Sequence, residues 1–156
     1  MAIIAAVDSS DRAIAVVERA SELSREYGVA LHVVHVAEPT VDFREELIDV
    51  SADALNPEVG EVPEQRLDDL RTEAAETAAA AAADVDDLEA YEAVGLVGNP
   101  ATAIKQYASE HDAEYIVVSG RKRHPLGQAL FGSVTQALLL NANRPVVAVP
   151  HDRADS

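Results

Sequence analysis

The sequence contains no cysteine, which excludes disulfide bonds and any metal site built from thiolates. It has no tryptophan and only two lysines, Lys105 and Lys122. No apolar run reaches the ~18 residues that a membrane-spanning helix needs, and the first residues lack the basic segment that opens a signal peptide. We therefore expect a soluble cytoplasmic protein, in which 156 residues suffice for one domain with a buried core.

Basic residues are also scarce, at 12 against 28 acidic residues, so that the formal net charge is -16. The acidic residues are spread along the chain, which is typical of a solvated acidic surface rather than of an interaction tail. Together with abundant alanine and valine, this surface indicates a halophilic organism of the haloarchaeal type, in whose salt-rich interior the self-repulsion is screened. The same charge argues against nucleic-acid binding, which usually needs a broad basic face.

Short apolar runs alternate with segments of helical spacing along most of the chain. The predicted strands are 2–7, 30–36, 88–94, 115–118 and 145–149, and the predicted helices are 14–27, 64–84, 101–111 and 133–140. This alternation predicts an α/β fold with a mostly parallel sheet covered on both faces. Residues 38–63 contain three prolines and are interpreted as an irregular segment, either a functional flap or a disordered insertion.

A loop that contains glycines separates the fourth predicted strand from the fourth predicted helix. Gly120 and Gly127 lie in it, and Gly132 and Ser133 open the helix. A strand, a glycine-rich loop and a helix N-terminus in this order form phosphate sites from backbone N–H groups. The run Arg121-Lys122-Arg123 lies in the same loop and is interpreted as a phosphate clamp, with a solvated surface loop as the alternative.

No pattern in the sequence predicts a catalytic group or a metal site. There is no cysteine and no Gly-x-Ser-x-Gly motif. His32 and His35 are three residues apart in a predicted strand, so their side chains should point to opposite faces of the sheet. They therefore cannot share one metal ion.

Four segments, in order over nearly the full length, resemble the universal stress protein family of the flavodoxin-like, adenine-nucleotide-binding type. They are Ala6 to Ser10; His35-Val36; Val94-Gly95 with Gly98 to Pro100; and Val117 to Gly120 with Gly132 to Thr135 and Arg144 to Val147. The resemblance implies a single-domain, Rossmann-like three-layer α/β/α sandwich over residues 1–150, followed by a short polar tail at 151–156. Its five-stranded parallel sheet has the order 3-2-1-4-5, which leaves a ligand crevice between strands one and four.

The resemblance also implies a ligand, ATP with or without Mg²⁺, and the residues that bind it. Asp8 would contact the ribose and Val36 the adenine, while a helix cap is the alternative role for Asp8 and for Ser133. The phosphate loop departs from the family pattern because Arg123 replaces its second glycine, but an arginine can bind phosphate through two N–H groups. The implied nucleotide-binding residues are Ala6, Val7, Asp8, Val36, Ser119, Gly120, Lys122, Arg123, Gly132, Ser133, Val134 and Thr135.

In function, the resemblance implies a stress-response regulator that acts by switching its conformation or its partner rather than by turnover. Slow ATP hydrolysis stays open, since a phosphate clamp alone can assist it weakly. The alternative is a nucleotide-free homodimeric module that works through protein contacts. In the implied sheet order the final strand is an apolar edge, which predicts pairing with a second copy. The residues expected at this interface are Val146, Val147, Ala148 and Val149.

Overall fold

A computed structural model describes residues 1–10, 12–38, 64–86, 88, 90–121 and 133–151 of the chain. The described residues form strands β1 (Ala2–Ala6), β2 (Ala30–Ala37), β3 (Glu92–Val97), β4 (Ala113–Arg121) and β5 (Val146–His151). The helices are α1 (Arg12–Tyr27), α2 (Glu64–Ala83), α3 (Pro100–Glu110) and α4 (Ser133–Asn141). The irregular segment predicted at 38–63 falls almost wholly outside the described residues. No helix of the described ranges is long and apolar enough to cross a bilayer.

The five strands form one parallel sheet in the order β3-β2-β1-β4-β5, which confirms the predicted fold and strand order. Strand β1 lies at the centre, where Ala6 pairs with Val34 of β2 and Ala5 pairs with Val117 of β4. The central strands are apolar at consecutive positions because helices cover both of their faces. Helix α1, which follows β1, packs on one face of the sheet and α4, which follows β4, packs on the other, so β1 and β4 flank the switch point.

Side chains that alternate along the strands build a separate core on each face of the sheet. Ile3 and Val33 pack with α1 and α2 on one face, which we call the α1 face. Ile4 and Val34 pack with α3 and α4 on the other, which we call the α3 face. The period of two in a strand produces this division, since neighbouring residues point to opposite sides.

The predicted bounds of β3 were wrong, because the strand runs from Glu92 to Val97 rather than over 88–94. Gly95 lies inside the strand and pairs with His35 of β2. A Cβ atom at this position would lie 1.9 Å from the carbonyl oxygen of Arg71 in α2. The glycine therefore marks the close approach of the α2 backbone to the sheet and not the end of the strand.

Side chains cap two of the helices that begin at the edge of the sheet where the strands have their carboxyl ends. At α3, Asn99 accepts a hydrogen bond from the backbone N–H of Thr102 at 3.1 Å, and Pro100 takes the first helical position. At α1, the Ser10 hydroxyl accepts from the backbone N–H of Arg12 at 3.3 Å. Gly28 ends α1 with φ at 66°, a conformation that glycine adopts without strain.

Candidate functional site

A cleft of about 190 Å³ opens at the carboxyl ends of β1, β2 and β4, at the switch point of the sheet. The first turns of α1, α3 and α4 form its walls, so three helix N-termini converge on it. Such N-termini carry unpaired N–H groups and favour anions. The lining residues are Ala6, Val7, Asp8, Ala13, Val16, Val34, His35, Val36, Glu38, Pro100, Ile104, Val118, Ser119, Val134 and Thr135.

Asp8 provides an ionised hydrogen-bond acceptor in this cleft. Its Oδ1 atom accepts from the backbone N–H of Ser10 at 2.9 Å and from the Ser10 hydroxyl, and its Oδ2 atom lies 3.5 Å from the Arg12 guanidinium. Burial raises the pKa of Asp8, but the hydrogen bonds from Ser10 and the charge of Arg12 outweigh burial and leave this pKa below its ordinary value. The carboxylate is therefore charged at neutral pH and can accept hydrogen bonds from ligand hydroxyls.

Ser10, and not Asp8, caps the N-terminus of α1. Ser10 accepts the N–H of Arg12 through its hydroxyl, and Asp8 in turn braces Ser10. The two roles of this turn are thus divided between two residues. Asp8 keeps oxygen lone pairs for a ligand, since a carboxylate has about four acceptor positions.

Apolar side chains of the α3 face form the opposite wall of the cleft. Val34 and Ile104 are buried in the core, and Val36 is 8% exposed. Pro100 continues this wall at the first turn of α3. Aliphatic walls of this kind suit the flat faces of an aromatic ring, whereas the charged rim at Asp8 suits a polar group. The cleft can therefore hold a ligand that is apolar at one end and hydroxylated at the other.

The start of α4 is fixed to β4 by a buried hydrogen bond. The Thr135 hydroxyl donates to the Ser119 carbonyl oxygen at 2.8 Å, and Thr135 is 6% exposed. This bond satisfies a carbonyl near the end of β4 and seats the first turn of α4 beside the cleft. Ser133 is the first residue of that helix, as predicted.

Most of the predicted site residues come together around the cleft. The residues Ala6, Val7, Asp8, Val36, Ser119, Val134 and Thr135 line it. Gly120 is a buried residue of β4 that pairs with Pro150 and is not among the lining residues. The predictions for Lys122, Arg123 and Gly132 lie outside the described residues.

Sequence reasoning missed two polar residues that line the cleft, His35 and Glu38. His35 lies beside Val36 in the sequence but points to the α1 face, where its Nδ1 atom is 2.8 Å from the Val7 carbonyl oxygen. Pro100 and Ile104 were missed as well, although Asn99-Pro100 is a recognisable helix start. That signal, combined with the parallel sheet, would have placed the first turn of α3 at the same edge.

The other histidine of β2, His32, lies far from the cleft on the α3 face, as the alternation predicted. Its Nδ1 atom is 2.6 Å from the Tyr107 hydroxyl and its Nε2 atom is 3.0 Å from Glu92. The Tyr107 ring stacks on His111 with centroids 3.8 Å apart. Within the described part of the chain, no group of three histidine or acidic side chains is arranged to hold a metal ion.

Comparison with known proteins matched a family model, a solved structure and a curated relative. Residues 1–150 match the model of the universal stress protein family. A structure of a universal stress protein from Archaeoglobus fulgidus is 32% identical, with 96% of this chain and 98% of that chain covered and a TM-score of 0.63. A universal stress protein of Mycolicibacterium smegmatis is 54% identical over 41 residues, which are 26% of this chain and 32% of that protein. This last match thus spans about a third of the length of its relative.

Two more distant structures share the fold and were solved with nucleotides. A universal stress protein from Archaeoglobus fulgidus in complex with dAMP is 24% identical, with 96% of this chain and 97% of that chain covered and a TM-score of 0.53. A universal stress protein family protein from Arabidopsis thaliana with AMP bound is 15% identical, with 99% and 94% covered and a TM-score of 0.52. At these identities the likeness establishes the common fold.

Proposed function

We propose that this chain, which belongs to the universal stress protein family, binds an adenine nucleotide in the cleft between β1 and β4. The observation that carries the proposal is the pairing of a charged, braced carboxylate at Asp8 with an apolar wall at Val36 and Ile104 in one cleft. A nucleoside has two matching parts, a hydroxylated sugar and a flat aromatic base with apolar faces. Two proteins of the same fold were solved with dAMP and AMP, which supports this class of ligand.

In the proposed complex, each part of the nucleotide meets a group suited to it. The Asp8 carboxylate accepts hydrogen bonds from the ribose hydroxyls, and the adenine lies against Val36. The phosphates lie toward the start of α4, where unpaired N–H groups and the helix dipole favour anions. In the same proposal, Lys122 and Arg123 bind the phosphates, as the sequence predicts.

The finer proposal for the ligand is ATP with Mg²⁺. Mg²⁺ is usually held by one or two carboxylates together with substrate phosphates. In this proposal the ion enters the site bound to the phosphates of ATP. The protein would then respond to the nucleotide by a change of conformation or partner, as a regulator in a cytoplasmic stress response.

Nucleotide in the protein as purified is the direct test of this proposal. The protein is prepared in molar KCl, and an acid extract is analysed for adenine nucleotides by mass spectrometry. A thermal-shift series with ATP, AMP and inorganic triphosphate at matched ionic strength follows. Stabilisation by ATP or AMP but not by triphosphate supports the proposal. Equal shifts for all three anions, with no nucleotide in the extract, would indicate non-specific anion binding and contradict the proposal.

A second candidate function is assembly into a homodimer through β5, with or without nucleotide. Strand β5 pairs with β4 alone among the strands that the structure describes. Beside it, α4 carries two exposed leucines, Leu139 at 44% and Leu140 at 75% exposure. An apolar edge strand flanked by exposed leucines is a surface that folded proteins usually pair or cover. Pairing of Val146 to Val149 with the same strand of a second copy would close such a dimer.

A further inference from the structure

We infer that His35 is a positioning residue for Asp8, which it serves by holding the Val7 carbonyl oxygen at the end of β1. This inference rests on the proposed nucleotide site. It concerns a side chain on the α1 face, opposite the wall that Val36 provides. His35 lines the cleft and its Nδ1 atom lies 2.8 Å from the Val7 carbonyl oxygen.

Val7 directly precedes Asp8 and is hydrogen-bonded to β2. Strand β1 ends at Ala6, yet the Val7 N–H still donates to the Val34 carbonyl oxygen at 2.8 Å. Its carbonyl oxygen accepts a hydrogen bond from the His35 ring. Both backbone groups of Val7 are thus tied to β2, one by main chain and one by a side chain. The bond from His35 to the Val7 carbonyl oxygen fixes the peptide group between Val7 and Asp8.

The hydrogen bond to Val7 also sets the protonation pattern of the imidazole. A carbonyl oxygen only accepts hydrogen bonds, so Nδ1 must carry the hydrogen that is donated. In the neutral ring this leaves Nε2 as an acceptor. The tautomer is therefore a property of the ligand-free protein that can be measured without any nucleotide.

Strand β3 places no side chain beside the His35 ring on the α1 face. His35 pairs with Gly95 of β3, so the position beside it in the same row carries no side chain. The α2 backbone approaches Gly95 closely and closes the sheet at that point. Three neighbouring positions therefore support the Asp8 turn from one side. Gly95 contacts α2, His35 donates a hydrogen bond, and Val7 leads into Asp8.

Two substitutions of His35 separate the hydrogen bond from the volume of the ring. In asparagine the amide nitrogen is attached to Cγ, as Nδ1 is in histidine, so His35→Asn keeps a donor for the Val7 carbonyl oxygen. In glutamine the amide nitrogen lies one bond further out and corresponds to Nε2. His35→Gln is therefore the variant that loses the bond while remaining polar and closer in size to the wild type.

The first measurement uses the ligand-free protein. NMR of the imidazole nitrogens should show the Nδ1–H tautomer at His35. Titration of the Asp8 carboxyl should give a pKa below the ordinary value in the wild type, a similar one in His35→Asn and a higher one in His35→Gln. The opposite tautomer, or the same Asp8 titration in all three proteins, would overturn the inference whether or not nucleotide binds.

The second measurement is calorimetry with adenosine and with adenine, which lacks the ribose. We expect His35→Gln to weaken adenosine binding about tenfold, the worth of one hydrogen bond, and to leave adenine binding unchanged. His35→Asn should restore adenosine binding to within about twofold. In a background of Asp8→Ala, His35→Gln should add no further loss, because the two residues act through one contact.

Three outcomes of the calorimetry would contradict the inference. They are equal losses for adenine and adenosine, equal losses in the asparagine and glutamine variants, and additive losses in the double variant. Each would make His35 a wall residue rather than a positioning residue. If the wild type binds neither ligand, the proposed nucleotide function fails, and the Asp8 titration alone decides the role of His35.

Discussion

The Nδ1 atom of His32 lies 2.6 Å from the hydroxyl of Tyr107, and this contact joins β2 to α3 at the end of the sheet opposite the cleft. Burial, with Glu92 and Glu110 nearby, raises the pKa of Tyr107 to about 12. The hydroxyl therefore stays protonated. Because the Glu92 carboxylate only accepts, Nε2 of the neutral imidazole donates to it over 3.0 Å, and Nδ1 accepts the hydrogen of the Tyr107 hydroxyl. This chain of bonds needs no charge on His32.

We expect the free energy of unfolding to decrease on acidification, because His32 takes up a proton less readily in the folded protein than in the unfolded chain. Burial lowers the pKa of His32, with His111 and the N-terminal amine adding to this and Glu92 opposing it. The unfolded chain therefore takes up the proton first, and the stabilisation is complete above the ordinary histidine pKa of ~6.5. It is lost as the pH falls from there toward the lower folded value, by up to about 1.4 kcal/mol per pH unit.

Unfolding midpoints between pH 7.5 and 5.5 test this pH dependence. His32→Gln removes the titrating group and should flatten the profile. A profile of His32→Gln as steep as that of the wild type would show that other groups cause the pH dependence.

Gly95 should tolerate no side chain, because α2 lies against it. The Cβ atom of an alanine would lie 1.9 Å from the Arg71 carbonyl oxygen and 2.5 Å from the Ala75 nitrogen. Both are backbone atoms of a packed helix, so we expect Gly95→Ala to destabilise by ~3 kcal/mol, the upper part of the range for overpacking. Denaturant unfolding measures the change.

Gly28→Ala is the matched control for that substitution. Gly28 has φ at 66° and no heavy atom within 4 Å of a Cβ placed there. Its replacement costs only the backbone strain of that conformation, ~1–2 kcal/mol. A smaller loss for Gly95→Ala than for Gly28→Ala would mean that α2 shifts readily away from β3.

Salt should stabilise the protein, because the net charge is -16. We expect the unfolding midpoint to rise as KCl increases from millimolar to molar concentration, since screening shortens the Debye length from ~30 Å at 0.01 M to ~3 Å at 1 M. A neutral osmolyte at matched osmolality should not reproduce the rise at low concentration. A midpoint that fell with KCl would contradict the proposed adaptation to high salt.

The proposed dimer predicts that the outward N–H groups of β5 are needed for assembly. The Ile116 N–H donates to the Pro145 carbonyl oxygen, so the alternation of a parallel ladder turns the N–H of Val147 toward β4 and that of Ala148 outward. Pro150 occupies the next outward position and has no N–H. Ala148→Pro should therefore remove a donor from the outer edge without breaking the pairing with β4.

Sedimentation at micromolar concentration in molar KCl tests the dimer. We expect the wild type to sediment as a dimer, Ala148→Pro to shift toward the monomer, and Ala148→Ser to behave as the wild type. The unfolding midpoint of Ala148→Pro checks that its fold is intact. A monomeric wild type, or a dimer unaffected by the proline, would exclude β5 as the interface.

Much of this architecture could be predicted from the sequence because it follows from local patterns. The apolar runs located the central strands, and the alternation of side chains correctly separated His32 from His35. The resemblance to a known family supplied the strand order, which periodicity does not encode. The sequence did not mark the bounds of β3, because a glycine that ends a strand and one that lets a helix approach, as Gly95 does, look the same in a sequence.

The contacts that the sequence did not reveal join residues far apart in the chain. His32 and Tyr107 are separated by 75 positions, and His35 reaches Val7 across 28 positions. The first contact depends on where α3 packs against the sheet, and the second depends on the register between β1 and β2. The cleft residues Pro100 and Ile104 were missed although Asn99-Pro100 signals a helix start, because that signal was not combined with the carboxyl edge of the parallel sheet.

Calorimetry of Asp8 variants tests the central claim most directly. In molar KCl we expect Asp8→Ala to weaken ATP or AMP binding about ten- to hundredfold, because a hydrogen bond to a charged group contributes ~1.5–3 kcal/mol. Asp8→Asn, which keeps an oxygen for the Ser10 N–H, should lose less. Asp69→Ala, on the exposed surface of α2, is the control and should bind as the wild type does. Equal affinities in wild type and Asp8→Ala would contradict a nucleotide site at this cleft.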